Sequence, residues 1–278
     1  MCGIAGIYGH HPVANPVEPA ELLRMRDRMT PRGPDGAGAW YSEDRRVGLA
    51  NRRLAIIDLS ERGAQPMLSA DGKLAVTYNG EIYNYRDLRR RLEARGSVFR
   101  SDTDTEVLLH LYAWKGEAML AELRGMFAFA LWDSDAGRLL LARDPYGIKP
   151  LYYADDGWTF RLASQVKALV AGERISLDPE PAGWAGFFLF GSVPEPFTIY
   201  RESRAVPTGS AMWIDRQGPH APVRYCDLSS IFDAAPPERG TAADFPERLR
   251  AALLDSVRHH LVADVRIGLF LSAGIDSG

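Results

Sequence analysis

The sequence predicts an α+β fold in which antiparallel sheets are stacked and helices cover their outer faces. Short strand-like runs separated by turn residues dominate up to about residue 163, and two of these pairs have the pattern of hairpins. Two or three runs with helical periodicity lie between the strands. After residue 179 the pattern changes to proline-rich connections, a linker and a last helix and strand. The length of 278 residues fits one large domain and part of another.

The first elements follow from apolar runs and turn signals. The run Cys2–Tyr8 is apolar and glycine-rich, which predicts a buried strand. Helical periodicity predicts a helix over Glu18–Thr30. The apolar run Arg53–Leu59 predicts a second strand, and Lys73–Tyr78 a third. That third strand is expected to end at Asn79-Gly80, a dipeptide typical of turns.

The middle of the chain alternates helices with hairpins. Asn84 is a candidate N-cap for a helix that runs to Arg95, and Asp104 is a candidate N-cap for the next helix. The two hairpins that follow are built from the runs Phe127–Trp132 with Arg138–Arg143, and Pro150–Tyr153 with Trp158–Ala163.

The last part of the sequence has the pattern of a second domain. A Pro- and Gly-containing linker, Ala234–Asp244, precedes an amphipathic helix over Phe245–Leu261. A buried strand is predicted over Val265–Leu271, followed by a loop of small residues. A strand that leads into such a loop is how nucleotide-binding α/β domains begin.

Composition excludes several classes of protein. The net charge of −3, without a basic block, argues against nucleic-acid binding. The longest apolar stretch, Trp184–Val193, is too short and too glycine-interrupted to span a bilayer, and residues 1–3 do not begin a secretory signal. Two cysteines, Cys2 and Cys226, are too few for a disulfide framework or a Cys-based zinc site. The predicted location is the cytoplasm.

Cys2 is the most informative candidate for chemistry. If the initiator Met is removed, Cys2 carries a thiol and a free α-amino group on one carbon, so a nucleophile lies beside its own general base. A terminal amine and a thiol titrate at about 8 and about 8.5, near enough to neutrality for proton exchange. The alternative is a small buried hydrophobic side chain near the start of the chain.

Amide hydrolysis through a thiolate also requires an oxyanion hole and substrate anchors. Asn79 and Gly80 can supply an amide and a backbone N–H to one oxyanion, although a plain hairpin turn is the alternative. Arg53 is a candidate for a substrate carboxylate, with a surface salt bridge as the alternative. Asp104 can accept a substrate ammonium, and this role is compatible with an N-cap.

Cys2, Arg53, Asn79 and Gly80 lie in a set of motifs that together resemble those of glutamine-dependent asparagine synthetases. The matches follow the family order over residues 2–278, and their combination is far more specific than any one of them. They are Cys2-Gly3-Ile4, Arg32-Gly33-Pro34-Asp35, Arg53-Leu54-Ala55-Ile56-Ile57-Asp58, Asn79-Gly80-Glu81-Ile82-Tyr83-Asn84, Gly125-Met126-Phe127-Ala128-Phe129-Ala130 and Arg143-Asp144-Pro145-Tyr146-Gly147-Ile148-Lys149-Pro150-Leu151.

The resemblance implies a class II glutamine amidotransferase domain with the αββα sandwich of N-terminal-nucleophile hydrolases, fused to an ATP-pyrophosphatase-type synthetase domain. The implied bounds are 2–210 for the amidotransferase domain, 211–244 for a connection and linker, and 245–278 for the beginning of the synthetase domain. On this reading the chain ends inside the nucleotide loop, and its last segment is expected to pack poorly unless it docks on the first domain.

The resemblance also implies a role for each matching residue. Cys2 would attack the glutamine amide, and Asn79 with Gly80 would form the oxyanion hole. Arg53 would bind the α-carboxylate. The remaining implied glutamine-binding residues are Ile56, Ile57, Glu81 and Asp104, and the implied nucleotide-loop residues are Ser272, Gly274, Asp276 and Ser277.

The implied partners are glutamine, a synthetase domain that receives ammonia, and a second copy of the chain in a homodimer. Neither nucleic acid nor a membrane is expected. Glutamine hydrolysis is expected to require no cofactor and no metal, whereas ATP and Mg²⁺ are implied for the synthetase domain, which would convert aspartate to asparagine.

Three positions depart from the family pattern, and they leave the amide acceptor open. Pro31 replaces a common His, Ala273 a usual Gly, and Thr208 a usual Pro. Alternative functions are an amidotransferase that serves a different acceptor and a non-catalytic interaction module. A cysteine protease is less favoured, because no local signature identifies a partner His.

Overall fold

A computed structural model describes residues 1–234 and 244–274, and it contains two antiparallel sheets. The strands of the first sheet, in spatial order, are β10 (Ser203–Ala205), β8 (Tyr152–Asp155), β9 (Phe160–Ala163), β1 (Gly3–Tyr8), β3 (Val47–Arg53) and β2 (Gly36–Tyr41). Those of the second are β12 (Gly218–Pro219), β11 (Ser210–Asp215), β7 (Arg138–Arg143), β6 (Gly125–Asp133), β5 (Leu74–Ile82) and β4 (Met67–Leu68), with β13 (Val223–Arg224) paired to β11.

Helices cover both outer faces of this pair of sheets. The helices are α1 (Pro19–Asp27), α2 (Tyr85–Glu93), α3 (Asp104–Lys115), α4 (Val166–Ala171), α5 (Pro181–Phe190), α6 (Leu228–Ala234) and α7 (Phe245–His260). α1 and α4 pack on the first sheet, and α2 and α3 pack on the second. The predicted αββα sandwich of antiparallel sheets is therefore confirmed.

Strand periodicity sorts the apolar side chains into three core layers. In β6, Phe127 and Phe129 face α2 and α3, whereas Ala128 and Ala130 face the other sheet. Successive side chains of a strand point to opposite faces, so a continuous apolar run such as β6 is what a strand buried on both faces requires. The small alanines allow the two sheets to approach each other closely.

Two strand predictions were wrong in ways that matter for the site. The run 53–59 is not a strand, because β3 ends at Arg53 and a loop follows. The loop contains the apolar residues Ile56 and Ile57 because both pack against the core. Conversely, the third strand does not end at Tyr78. It continues to Ile82 as β5, with Asn79 opposite Ala128 and Gly80 opposite Phe127, so the plain hairpin turn at Asn79-Gly80 is excluded.

The helix caps also differ in detail from the prediction. Thr103, not Asp104, is the N-cap of α3, and its side chain accepts a hydrogen bond from the Thr105 N–H. Asp104 instead begins the helix and points its carboxylate toward β5. Asn84 is the N-cap of α2, but its side chain bonds to the backbone of Glu122 and Arg124 rather than to the helix.

The C-terminal part lies loosely on this core. α7 matches the predicted amphipathic helix, and none of its residues is buried. The predicted buried strand over Val265–Leu271 was wrong: the segment has no regular structure, and Phe270 is fully exposed. A strand needs a neighbour for its backbone hydrogen bonds, and in the described parts of the chain no strand lies beside this segment. The predicted linker falls largely on residues 235–243, outside the described residues.

The loop after β7 is folded around one buried carboxylate. Asp144 is fully buried, and its oxygens accept hydrogen bonds from the backbone N–H groups of Phe127, Tyr146, Ile148 and Lys149 at 3.0–3.2 Å. This arrangement carries Ile148 and Lys149 from β7 to the side of the molecule where Cys2 lies.

Replacing Asp144 by alanine is expected to lower the free energy of unfolding by about 3–5 kcal/mol, because several buried N–H groups lose their acceptor. Urea denaturation followed by circular dichroism measures the change. Asp135→Ala is the matched control, since this exposed carboxylate forms a surface ion pair with Lys73, and such a pair contributes less than about 1 kcal/mol. Equal effects of the two substitutions would contradict the role given to Asp144.

Candidate active site

Cys2 lies immediately before β1, a central strand of the first sheet. Because Gly3 pairs with Arg52 of β3, Cys2 comes next to the end of β3 and the loop that follows it. The backbone N–H of Leu54 donates to the sulfur at 3.4 Å. Burial raises the pKa of the Cys2 thiol, and the hydrogen bonding with Leu54 opposes this shift. The strand thus fixes the thiol at one wall of a cavity.

That cavity has a volume of about 390 Å³, and it brings the predicted glutaminase residues together. Such a volume is in the range of small-molecule sites. All eight predicted residues line it: Cys2, Arg53, Ile56, Ile57, Asn79, Gly80, Glu81 and Asp104. They come from both sheets, from the loop after β3 and from the start of α3, so the sandwich as a whole assembles the site.

Asn79 is the most unusual polar side chain of this cavity. It is 1% exposed, yet neither its Nδ2 nor its Oδ1 atom has a hydrogen-bond partner among the described residues. An unpaired buried amide costs about 1–3 kcal/mol, so a fold retains one only where something offsets that cost. The amide is available to a ligand in the cavity that Cys2 also lines.

The Gly80 N–H points to the same cavity by the geometry of its strand. The Phe127 N–H and C=O bond to Asp144 rather than to the opposite residue Gly80, so the Gly80 N–H is directed away from β6. The N–H groups of Tyr78 and Ile82, two residues away on either side, point the same way and are bonded to Gln65 Oε1 and Asp104 Oδ2.

Glycine is required at position 80 for steric reasons. A Cβ atom there would lie 2.3 Å from the Met126 carbonyl oxygen and 2.8 Å from the Phe127 Cα. The close approach of β6 therefore leaves room for no other residue without a backbone shift.

Asp104 places a buried carboxyl group at one wall of the cavity. Its Oδ2 atom accepts hydrogen bonds from the Tyr78 hydroxyl at 2.7 Å and from the Ile82 N–H at 2.9 Å. Burial raises the pKa of Asp104, and the two hydrogen bonds oppose that shift. A carboxylate placed at a helix N-terminus is also stabilised by the helix dipole.

Arg53 is wrapped by the loop that follows it. Its guanidinium donates to the carbonyl oxygens of Ser60 at 2.9 Å and Ile57 at 3.4 Å, and also to that of Asp58. In the ranges 1–234 and 244–274 no carboxylate forms an ion pair with it, so the surface salt bridge considered from the sequence is excluded. Within the described ranges, this guanidinium is thus held beside the cavity by carbonyl oxygens and not by a carboxylate.

Lys149 belongs to one of the motifs quoted from the sequence, but its residue pattern predicted no role for it. Lys149 is 4% exposed and lines the cavity beside Glu81. Burial lowers the pKa of Lys149 and raises that of Glu81, and each group opposes the shift of the other. The two side chains are therefore electrostatically coupled within the cavity. The only signal in the sequence was a lysine between apolar neighbours, which does not reveal a long-range partner.

The implied nucleotide-loop residues lie apart from this cavity. Ser272 and Gly274 are exposed, and the Gly274 N–H bonds to the Ser272 hydroxyl at 3.2 Å. Asp276 and Ser277 lie outside the described residues. In the part of the chain that the structure describes, acidic, histidine and cysteine side chains do not gather in groups suited to a metal ion. None of the helices described has the length and apolar character that a membrane crossing requires.

The αββα sandwich is the architecture of N-terminal-nucleophile hydrolases. A solved structure with the same fold is the glutamine phosphoribosylpyrophosphate amidotransferase of Bacillus subtilis in complex with ADP and GMP. It aligns with a TM-score of 0.57 at 24% identity and covers 81% of this chain and 49% of that one.

Sequence comparison identifies the family. The family model described as "Glutamine amidotransferase domain" matches residues 1–226, and that described as "Asparagine synthase" matches residues 248–278. The chain belongs to the glutamine amidotransferase domain family and is therefore an enzyme of that kind.

Curated relatives match the chain over its whole length. The chain is 40% identical to "Asparagine synthetase [glutamine-hydrolyzing] 1" of Bacillus subtilis and covers 43% of it. It is 33% identical to "Amidase chry2" of Gibberella zeae and covers 42% of that protein. It is 31% identical to "Putative asparagine synthetase [glutamine-hydrolyzing] 2" of Methanocaldococcus jannaschii and covers 55% of that protein. The chain thus spans about half the length of these relatives, and the predicted resemblance is confirmed.

Proposed function

We propose that this protein hydrolyses the side-chain amide of glutamine with Cys2 as the nucleophile. The observation that carries the proposal is the buried, unpaired amide of Asn79 in the cavity that Cys2 lines. A preorganised donor without a partner in the ground state is what stabilisation of a developing oxyanion requires.

The proposed reaction has two steps. After removal of Met1, the α-amine of Cys2 takes the thiol proton, and the thiolate attacks the amide carbon of glutamine. Asn79 Nδ2 and the Gly80 N–H hold the oxyanion. The C–N bond breaks as the amine returns the proton, and ammonia leaves a thioester. Water then adds to the thioester, the C–S bond breaks, and glutamate and the free thiol are released.

Charge complementarity supports the proposed orientation of glutamine. Asp104 and Glu81 offer negative charge to the α-ammonium, and Arg53 offers positive charge to the α-carboxylate. Ile56 and Ile57 supply the apolar surface along the side chain. The proposed bounds of this domain are 2–210, with a connection over 211–244.

Asp104→Asn is expected to raise the KM for glutamine by about 10- to 100-fold with little change in kcat, because the amide oxygen can still accept from the Tyr78 hydroxyl and the Ile82 N–H while the negative charge is lost. Coupled detection of glutamate measures both constants. The control is Asp102→Asn, which alters an exposed carboxylate that pairs with Arg62 and Arg89. Similar KM values for the two variants would contradict ammonium binding at Asp104.

We further propose that the ammonia passes to a synthetase domain, which begins near residue 245 and uses ATP and Mg²⁺ to convert aspartate to asparagine. The asparagine synthase match at residues 248–278 supports this proposal. Ser272 and Gly274 would belong to its nucleotide loop together with Asp276 and Ser277. Asparagine formation from aspartate, ATP and glutamine, measured by chromatography, tests it.

A different amide acceptor is the second candidate. Two observations support this candidate. The sequence departs from the family pattern at Pro31, Ala273 and Thr208, and one relative is named an amidase. Glutamine-dependent ATP turnover with other carboxylate acceptors but not with aspartate would select this candidate. Cytoplasmic location and homodimerisation remain proposals to be tested by fractionation and light scattering.

A further inference from the structure

The segment that follows α7 is bonded to the loop that follows β3. The Asp264 N–H donates to the Ile56 carbonyl at 2.8 Å, and the Asp58 N–H donates to Asp264 Oδ2 at 2.8 Å. Val262, two residues earlier, packs against the same core cluster as Ile56 and Ile57. More than 200 residues of sequence separate the two sides of this contact, so it is a tertiary contact that local sequence does not impose.

The loop that Asp264 holds has an unfavourable backbone conformation. Asp58 has a φ of 53°, in the left-handed region that residues with a Cβ atom rarely adopt. The Asp58 side chain also takes part in holding it, because it accepts hydrogen bonds from the Ser60 hydroxyl and the Asp102 N–H. A strained conformation persists only when its surroundings fix it.

The same loop holds Arg53. The carbonyl oxygens of Ile57 and Asp58 accept from the Arg53 guanidinium, and Ile56 and Ile57 line the cavity. A shift of this loop would therefore move both the apolar wall and the cation proposed to bind the glutamine α-carboxylate.

We infer that Asp264 is a positioning residue for the glutamine site: its two hydrogen bonds fix the 56–58 loop and, through that loop, Arg53. This inference rests on the proposed function. It makes glutamine affinity depend on a residue beyond the amidotransferase domain match, which ends at residue 226. Binding events that move the segment after α7 would change the affinity for glutamine through this contact.

The test compares Asp264→Ala with Asp264→Asn and Asp255→Ala. Alanine removes the acceptor for the Asp58 N–H, whereas asparagine retains an acceptor oxygen. Asp255 lies on α7 and forms an exposed ion pair with Arg124, so its loss removes a weak surface contact of the helix and leaves the 56–58 loop untouched. The expected result is a three- to tenfold higher KM for glutamine in Asp264→Ala, a kcat within about twofold, and values near wild type in the other two variants.

Hydrogen exchange of the peptide that covers residues 54–60 gives a second readout that is independent of turnover. Faster exchange in Asp264→Ala alone supports the inference. An unchanged KM in Asp264→Ala, or an equal rise in Asp255→Ala, overturns it while glutamine hydrolysis by the wild type stands. A wild-type protein that does not hydrolyse glutamine overturns the proposed function, and the positioning role with it.

Discussion

Replacing Cys2 by alanine is expected to reduce kcat for glutamine hydrolysis by at least about 10³-fold, because no thioester can then form. The substitution removes one sulfur atom whose polar contacts are with Leu54, so the fold should remain intact. Glutamate release from purified protein measures the effect, after mass spectrometry has established that Met1 is absent. The thermal midpoint of the variant should stay within a few degrees of wild type.

Cys226→Ala is the matched control for this experiment. The two cysteines are free and partly buried, but only Cys2 lines the cavity. The control variant should therefore keep its kcat. Full activity of Cys2→Ala would refute the proposed nucleophile, and loss of activity in Cys226→Ala would show that the assay reports a general effect of cysteine removal.

The substitution Asn79→Ala is expected to lower kcat by about 10²–10³-fold, the usual effect of losing one oxyanion donor. KM should change little, because the donor acts mainly on the charge that develops in the transition state. The free energy of unfolding should not fall, since the amide has no hydrogen bond to lose in the structure described. Urea denaturation together with steady-state kinetics gives all three quantities.

Asn84→Ala separates this catalytic effect from a structural one. Asn84 lies in the same motif, but its side chain bonds to the backbone of Glu122 and Arg124, away from the cavity. The Asn84→Ala substitution should lower the free energy of unfolding by about 1 kcal/mol or more and leave kcat nearly unchanged. A large loss of stability in Asn79→Ala with unchanged kcat would mean that Asn79 is a core residue rather than an oxyanion donor.

Two kinds of sequence signal led to the predictions. Local patterns predicted the fold class, and the chemistry of individual residues predicted the candidate site. Strand periodicity and hairpin turns are local signals, and β6 and β7 were located correctly from them. Cys2 and Asn79 were chosen for their chemistry and for the motifs that contain them, and Asp104 was chosen for its chemistry. Their convergence on one cavity depends on the stacking of the two sheets, which no local pattern encodes.

The wrong predictions concern residues whose neighbours in the structure are distant in sequence. Ile56 and Ile57 looked like strand residues because a loop that lines a cavity is as apolar as a strand. Asn79-Gly80 looked like a turn because the requirement for glycine comes from the neighbouring strand β6, which lies more than 40 residues away in sequence. Lys149 and Asp264 gave no signal, since their partners are distant along the chain.

The position of Cys2 directly before β1 has a consequence for how the protein is produced. The Met1 amine is itself partly buried, which lowers its pKa, and Met1 lines the cavity together with Cys2. An affinity tag or signal fusion at this end would begin at the cavity proposed to bind glutamine. Recombinant versions should therefore carry tags at the other end, or a protease site whose cleavage leaves cysteine as the first residue.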